Sequence, residues 1–160
     1  MTGAELAAFA ASGPWVFENL VTGKCMDLVG TGAGSTGGYV IQYTCNYTSA
    51  DNQLWQMNLW DPERFTISNV KDGLCIDPPG VSGSISNGSA LRQYQCFPGP
   101  SDNQLFRLWW VPAAGGYQII NDKSVKCIDV VGPGTGGNSA GLVMYGCLDD
   151  DDHYWNHIPV

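Results

Sequence analysis

The sequence predicts an all-β protein built as a barrel of three equal units, and three observations carry that prediction. A block of Cys-x-Asp, a Gly/Ser-rich segment, Tyr-x-Cys and a following aromatic residue occurs three times. The copies are regular: the Cys-x-Asp elements lie 50 and 52 residues apart, and the paired cysteines are separated by 20, 21 and 20. Composition agrees, since 21 Gly and 9 Pro among 160 residues, with abundant Val, Ile, Tyr and Trp, describe short strands and many turns rather than helices. Self-similarity at this period means that no unit buries its apolar face alone, so the three share one core. Leucine-rich, ankyrin and tetratricopeptide repeats are shorter, and a propeller needs about four blades or more. A chain of this length is about one domain and buries roughly 70% of the surface its unfolded form exposes.

Residues 1–13 precede the repeats. Thr2-x-x-Glu5 has the form of a capping box ahead of Leu6-Ala-Ala-Phe9, and Gly13-Pro14 ends such a helix. A short helix docking Leu6 and Phe9 on the barrel and a disordered linker are both open readings, because so short a helix needs packing to hold it. The segment has neither a basic region nor a long apolar run, so the expectation is a mature or excised module with an added start Met. No stretch approaches transmembrane length.

Residues 14–160 form the repeated domain, with units at about 14–60, 61–110 and 111–160. Each opens on a strand: Trp15-Val-Phe17, Phe65-Thr-Ile67 and Tyr117-Gln-Ile119, in which alternate residues face one side. The leading aromatic stands ten residues ahead of the Cys in every copy and is assigned to the core; Asn19, Asn69 and Asn121 stand six ahead. Cys-x-Asp makes the second strand. The loops that follow, Gly30 to Gly38, Pro78 to Ser89 and Gly132 to Gly141, tolerate positive φ and allow close backbone approach. Third strands run Val40 to Tyr43, Leu91 to Tyr94 and Leu142 to Tyr145, and the aromatics Trp55, Phe106 and Trp155 are expected to close the core. Four strands per repeat make twelve.

Six cysteines at equivalent places point to three local disulfides, Cys25–Cys45, Cys75–Cys96 and Cys127–Cys147. Six cysteines allow fifteen connectivities, and only the repeat selects this one, the alternative being six reduced buried thiols. Zinc is disfavoured because no Cys-x-x-Cys pair occurs. Disulfides imply an oxidising compartment, hence a secreted or cell-surface protein. A formal charge of −8 with seven Lys and Arg argues against nucleic-acid binding and against attraction to anionic membranes.

The motifs also carry a resemblance. Cys25-Met-Asp27, Tyr43-Thr-Cys45 and Asn52-Gln53-Leu-Trp55 recur as Cys75-Ile-Asp77, Tyr94-Gln-Cys96 and Asn103-Gln104-Leu-Phe106, then as Cys127-Ile-Asp129, Tyr145-Gly-Cys147 and Asp152-His153-Tyr-Trp155. Over residues from about 14 to 160 the chain resembles the ricin B-chain type of β-trefoil lectin and carbohydrate-binding module. The resemblance implies a six-stranded barrel capped by three hairpins, with a shallow sugar pocket in each repeat. It also implies which residues bind.

Binding a neutral sugar calls for a carboxylate that accepts from two hydroxyls, an amide that donates and accepts, and an aromatic ring over the flat C–H face. By position the resemblance assigns these roles to Asp27, Asn52 and Tyr43 in the first repeat and to Asp77, Asn103 and Tyr94 in the second. Asp27 and Tyr43 are both expected at the surface. Gln53 and Gln104 support the pockets, with His153 at the same place in the third copy. That copy departs from the pattern: Asp129, Asp152 and Tyr145 supply two carboxylates and no amide, which leaves open a hydroxyl acceptor, a cation site or an inactive pocket. The run Asp149 to Asp152 is otherwise a solvated loop. Repeat two departs through Pro78-Pro79 and through Phe106 in place of Trp. No metal or cofactor is expected.

Catalysis is disfavoured. Gly137-Asn-Ser139-Ala-Gly141 has the Gly-x-Ser-x-Gly spelling with His153 and His157 downstream, but it lies in the Gly/Ser loop of a β repeat and not on a strand-to-helix turn. Paired-carboxylate glycoside hydrolysis needs a deep cleft. The expected function is therefore non-catalytic, multivalent recognition of glycans or polysaccharide, by a stand-alone lectin or by the targeting module of a secreted glycoside hydrolase whose catalytic domain lies elsewhere in the parent protein. A protein-binding trefoil such as a protease inhibitor is the alternative; it would use loop tips and have no reason to keep Asp, Tyr and Asn together. Asn46-Tyr-Thr48 and Asn87-Gly-Ser89 are N-glycosylation acceptors in a eukaryotic source. The sugar itself is not legible, because its selection lies in loop geometry.

Overall fold

The computed structural model describes residues 2–132, 136–147 and 152–160. Thirteen strands follow one helix, α1 (Gly3–Ala11). The first repeat holds β1 (Trp15–Asn19), β2 (Lys24–Leu28), β3 (Val40–Thr44) and β4 (Trp55–Leu59). The second holds β5 (Phe65–Asn69), β6 (Cys75–Asp77), β7 (Ser89–Ala90), β8 (Arg92–Tyr94) and β9 (Phe106–Val111). The third holds β10 (Gly116–Asn121), β11 (Cys127–Val130), β12 (Leu142–Tyr145) and β13 (Trp155–Pro159). The thirteenth strand is an addition ahead of the expected third strand of repeat two: Ser89 and Ala90 pair with β12, while β8 pairs with β6.

Antiparallel pairing runs β1–β4–β5–β9–β10–β13 and returns to β1, which closes a six-stranded barrel without an edge. The pairs β2–β3, β6–β8 and β11–β12 form three hairpins outside it. This is a β-trefoil. Trp55, Phe106 and Trp155 are buried at equivalent places, as are Ile67 with Ile119 and Ile76 with Ile128, so all three units fill one core. Complete burial of such a side chain contributes about 1.5–3 kcal/mol. Trp55 Nε1 donates to Met26 O and Trp155 Nε1 to Ile128 O, both at 3.0 Å; Phe106 has no such donor.

Of the leading aromatics, Trp15 and Phe65 are buried, but Tyr117 is only half-buried, at the edge of the barrel beside Trp110 and His157. Strict alternation also fails in β1, since Val16 packs on Cys25 and Leu54 in a second small core under the first disulfide. Burial on both faces of a strand erases the period of two.

Helix α1 has its capping box: Thr2 accepts from Glu5 N, and Glu5 accepts from Thr2 N. Leu6 and Ala10 are buried, and Phe9 stacks on Trp15 with ring centroids 4.5 Å apart. No helix among the described residues is long and apolar enough to cross a membrane. All three local disulfides are present.

The repeats interlock in a ring through their glycine loops. At Gly34 a Cβ would sit 2.1 Å from Gln93 Oε1 of repeat two, and at Gly83 it would sit 2.4 Å from Lys123 O of repeat three. Repeat three returns the contact, with Gln42 of repeat one donating to Gly136 O at 2.8 Å. Asn19, Asn69 and Asn121 close the same ring: each donates its side-chain amide to a main-chain carbonyl of another repeat, on Asp152, Asn52 and Asn103, at 2.7, 2.8 and 2.7 Å.

Candidate functional site

Strands β2 and β11 each carry a carboxylate at their next-to-last residue, Asp27 and Asp129, and the loop that follows walls a shallow hollow above it. The first hollow, of about 230 Å³, is lined by Asp27, Ile41, Tyr43, Asp51 and Ser139 among others. The third, of about 340 Å³, is lined by Asp129, Val143, Tyr145 and Gly88 among others. Each is thus completed by a residue from the repeat before it in the ring, Ser139 for the first and Gly88 for the third. In repeat two, Asp77 faces Arg92 across the hairpin and Tyr94 faces Cys75.

Asp27 lies at the floor of the first hollow and is 2% exposed, so the expectation of a surface carboxylate is corrected. Its Oδ1 accepts from Leu28 N at 2.6 Å and its Oδ2 from Gln53 Nε2 at 2.9 Å. Burial raises its pKa to about 6, which the two hydrogen bonds partly oppose and the nearby Asp51 charge increases. Tyr43 stands at the rim, 42% exposed, as expected. Asp129 repeats the floor geometry, buried and accepting from Val130 N at 2.8 Å, whereas Tyr145 is half-buried.

In repeat two the residue after Asp77 is Pro78, which has no N–H to give. Asp77 Oδ1 accordingly has no partner among the described residues. Burial again pushes its pKa up to about 6, with Asp102 adding like charge and Gln104 opposing. Tyr94 is exposed at the corresponding rim.

The amides stand elsewhere than expected. Asn52 is fully buried, and its Nδ2 donates to Gly30 O at 3.2 Å and to Gly32 O at 2.9 Å. Asn103 does the same to Pro79 O and Ser82 O, both at 3.1 Å. These side chains hold the loop behind the hollow, and their donors are already engaged. Gln53 and Gln104 act as clamps. Gln53 accepts from Asn46 N and donates to Asp27 and to Thr44 O; Gln104 accepts from Phe97 N and donates to Gln95 O. Asp152 and His153 occupy the same positions in repeat three and are buried; Asp149 to Asp151 lie outside the described residues.

Asp51, not among the residues expected from the sequence, lines the first hollow, accepts from Asn52 N at 2.8 Å and is bonded by Asn46 Nδ2. Asp102 accepts from Asn103 N in the same way, at 2.7 Å. The signal was present as an Asp immediately before Asn-Gln in both copies.

The sequence model of the family described as "Ricin-type beta-trefoil lectin domain-like" matches residues 8–94 and 51–145. The chain belongs to this family. Its fold is shared by the designed three-fold symmetric protein ThreeFoil, with a TM-score of 0.79, 22% identity and coverage of 91% of this chain and 98% of that one. A ricin B-like lectin from Macrolepiota procera, solved in complex with lactose, matches with a TM-score of 0.73 and 15% identity, covering 93% and 96%. An exo-beta-1,3-galactanase from Clostridium thermocellum matches with a TM-score of 0.76 and 22% identity; the match covers 92% of this chain and only 30% of that enzyme. Among curated protein sequences no relative is found.

For a ricin-type trefoil the Gly-x-Ser-x-Gly spelling has a local explanation. Ser139 takes a positive φ of 71° and donates its N–H to Gln42 O at 2.8 Å, bringing the loop of repeat three onto repeat one. His157 lies on β13 against Phe9 and Trp15, where burial lowers its pKa to about 4.

Proposed function

We propose that this chain is a non-catalytic glycan-binding module that recognises polysaccharide or clustered glycans through up to three shallow pockets. The observation that carries the reading is the recurrence of a desolvated carboxylate with a tyrosine across the same hairpin: Asp27 with Tyr43, Asp77 with Tyr94, Asp129 with Tyr145. A buried carboxylate is a strong acceptor for sugar hydroxyls, and a tyrosine ring covers a C–H face. Asn52, Asn103, Gln53 and Gln104 serve this site by fixing the loop and the acid. Asp152 and His153 stand at the corresponding places in the third repeat, and Asp51 adds a second carboxylate to the first.

Disulfides in every repeat are compatible with an extracellular location, and we assign the protein there. A stand-alone lectin and the targeting module of a larger glycoside hydrolase both fit this function. One or two sugar rings held by a few hydrogen bonds bind at about 0.1–10 mM, and tethering through several pockets raises apparent affinity by about 10²–10⁴. A glycan array on the recombinant chain, followed by calorimetry with the matching monosaccharide, tests this. Strong retention beside millimolar monosaccharide binding is expected, and absence of retention on every glycan counts against the reading.

A further inference from the structure

Three of the six tryptophans, Trp15, Trp55 and Trp155, are buried. Trp109 and Trp110 are not: they are 64% and 48% exposed, next to each other on β9. The repeat does not require them. Aligned on Trp55, Phe106 and Trp155, the same two places hold Asn58 and Leu59 in repeat one and Ile158 and Pro159 in repeat three. Both rings line a groove of about 460 Å³ that runs between α1 and the β9–β10 hairpin, with Leu6, Pro62, Arg107 and Glu63 among its other walls. None of the residues assigned to the three pockets lies in it.

The lining is amphipathic and its charges are paired. Arg107 Nη1 lies 2.7 Å from Glu63 Oε2, and its Nε lies 2.6 Å from Asp122 Oδ1; Asp122 also accepts from Arg64 at 3.1 Å. The guanidinium is therefore held on two sides, and the pair offers donors and an acceptor beside the indole rings. The walls are rigid, since α1 is capped and β9 pairs with β10 over six residues.

We propose that this groove is a further carbohydrate site. A pyranose ring of a neutral polysaccharide stacks on Trp109, and its hydroxyls meet the Arg107–Glu63 pair. A sugar presents the same mixture, an apolar C–H face with hydroxyls at its edge. The volume suits one or two rings, falling in the range of about 300–1,000 Å³ usual for small ligands. A protein partner would need about 800 Å² of flatter surface on each side. The choice of glycan as ligand rests on the function proposed above; the location of the groove does not.

The test uses the six indole N–H resonances of the ¹⁵N-labelled chain, with Trp109 and Trp110 assigned through Trp109→Phe and Trp110→Phe. Cellohexaose, xylohexaose and β-1,3-galactohexaose are titrated separately into the wild type and into the Asp27→Asn/Asp77→Asn variant. We expect the Trp109 and Trp110 resonances to shift saturably with at least one hexaose, equally in both proteins. Trp109→Ala should weaken that binding by about tenfold or more while the pockets still bind. If a hexaose binds the wild type, is lost in the Asp variant and leaves both indoles unmoved, the groove is no sugar site and the pocket reading stands. Resonances that broaden with protein concentration alone mark the patch as a self-association surface and overturn the proposal. Binding of none of the three hexaoses at the indoles overturns the groove proposal, while the pocket reading falls only with absence of retention on every glycan of the array.

Discussion

The first and second candidate sites are built from the same motif, and two positions at which they differ change their chemistry. After the floor carboxylate, repeat one has Leu28 and repeat two has Pro78. The Leu28 N–H holds Asp27 Oδ1, whereas Asp77 Oδ1 is left with an open acceptor position. Across the hairpin, Ile41 faces Asp27 and Arg92 faces Asp77. Arg92 reaches away from the acid, donating to Tyr39 Oη at 2.7 Å and lying over the Tyr39 ring, so the rim of the second pocket borders the loop of repeat one. Equal motifs therefore do not give equal sites: one missing N–H leaves an open acceptor position and a less determined geometry.

The comparison can first be broken at the level of avidity. Asp27→Ala and Asp77→Ala together should remove most of the multivalent retention on an immobilised polysaccharide, a loss of about 10²–10⁴ in apparent affinity that leaves only the weak binding of the remaining sites, while either alone lowers it partially. Retention lost entirely with one replacement means that one pocket carries the function. Retention undiminished in the double variant places the main binding surface elsewhere.

Restoring the missing donor should remove much of the difference. In Pro78→Leu the new N–H can reach Asp77 Oδ1 as Leu28 N reaches Asp27, and such charge-assisted bonds contribute about 1.5–3 kcal/mol. Stability at pH 7 should rise, as read by thermal unfolding; the pKa does not separate the two acids, since Asp27 with its N–H donor stands at about 6 as Asp77 does. Unchanged stability would show that the proline is not what separates the two sites.

Acidity should move binding and stability in opposite directions. Asp27 and Asp77 have folded pKa values of about 6 against an ordinary 3.8, so between these limits the folded chain keeps protons that the unfolded chain releases. Their contribution to stability therefore falls as pH rises through about 4 to 6. Sugar binding, which uses the ionised acceptors, rises over the same window. Asp27→Asn/Asp77→Asn should remove this part of the slope in melting temperature between pH 4 and 7.

The smallest effect belongs to Arg92→Ile. Losing the exposed contact with Tyr39 should cost about 0.5–1 kcal/mol of stability, and the second pocket should move toward the sugar preference of the first on a glycan array. An unchanged preference would locate selectivity in the loops alone.

What the sequence by itself determined is what repetition and local chemistry determine. Cysteines at equal spacing pair within their own repeat, Thr2 and Glu5 cap a helix across three residues, and aromatics at matching places fill one core. Each depends on separations of about twenty residues or fewer, or on symmetry. The tertiary structure alone decided how deep Asp27 lies, because Ser139 from repeat three helps to wall its hollow. It also decided that Asn52 and Asn103 turn their donors to loop carbonyls, since an amide satisfies whichever partner the fold brings within reach. The exposed pair Trp109 and Trp110 lies outside the repeated motif, so the sequence assigns it no place. Only the packing of α1 and the β9–β10 ladder places their rings in water, because burial is a property of what lies opposite a residue and not of the residue.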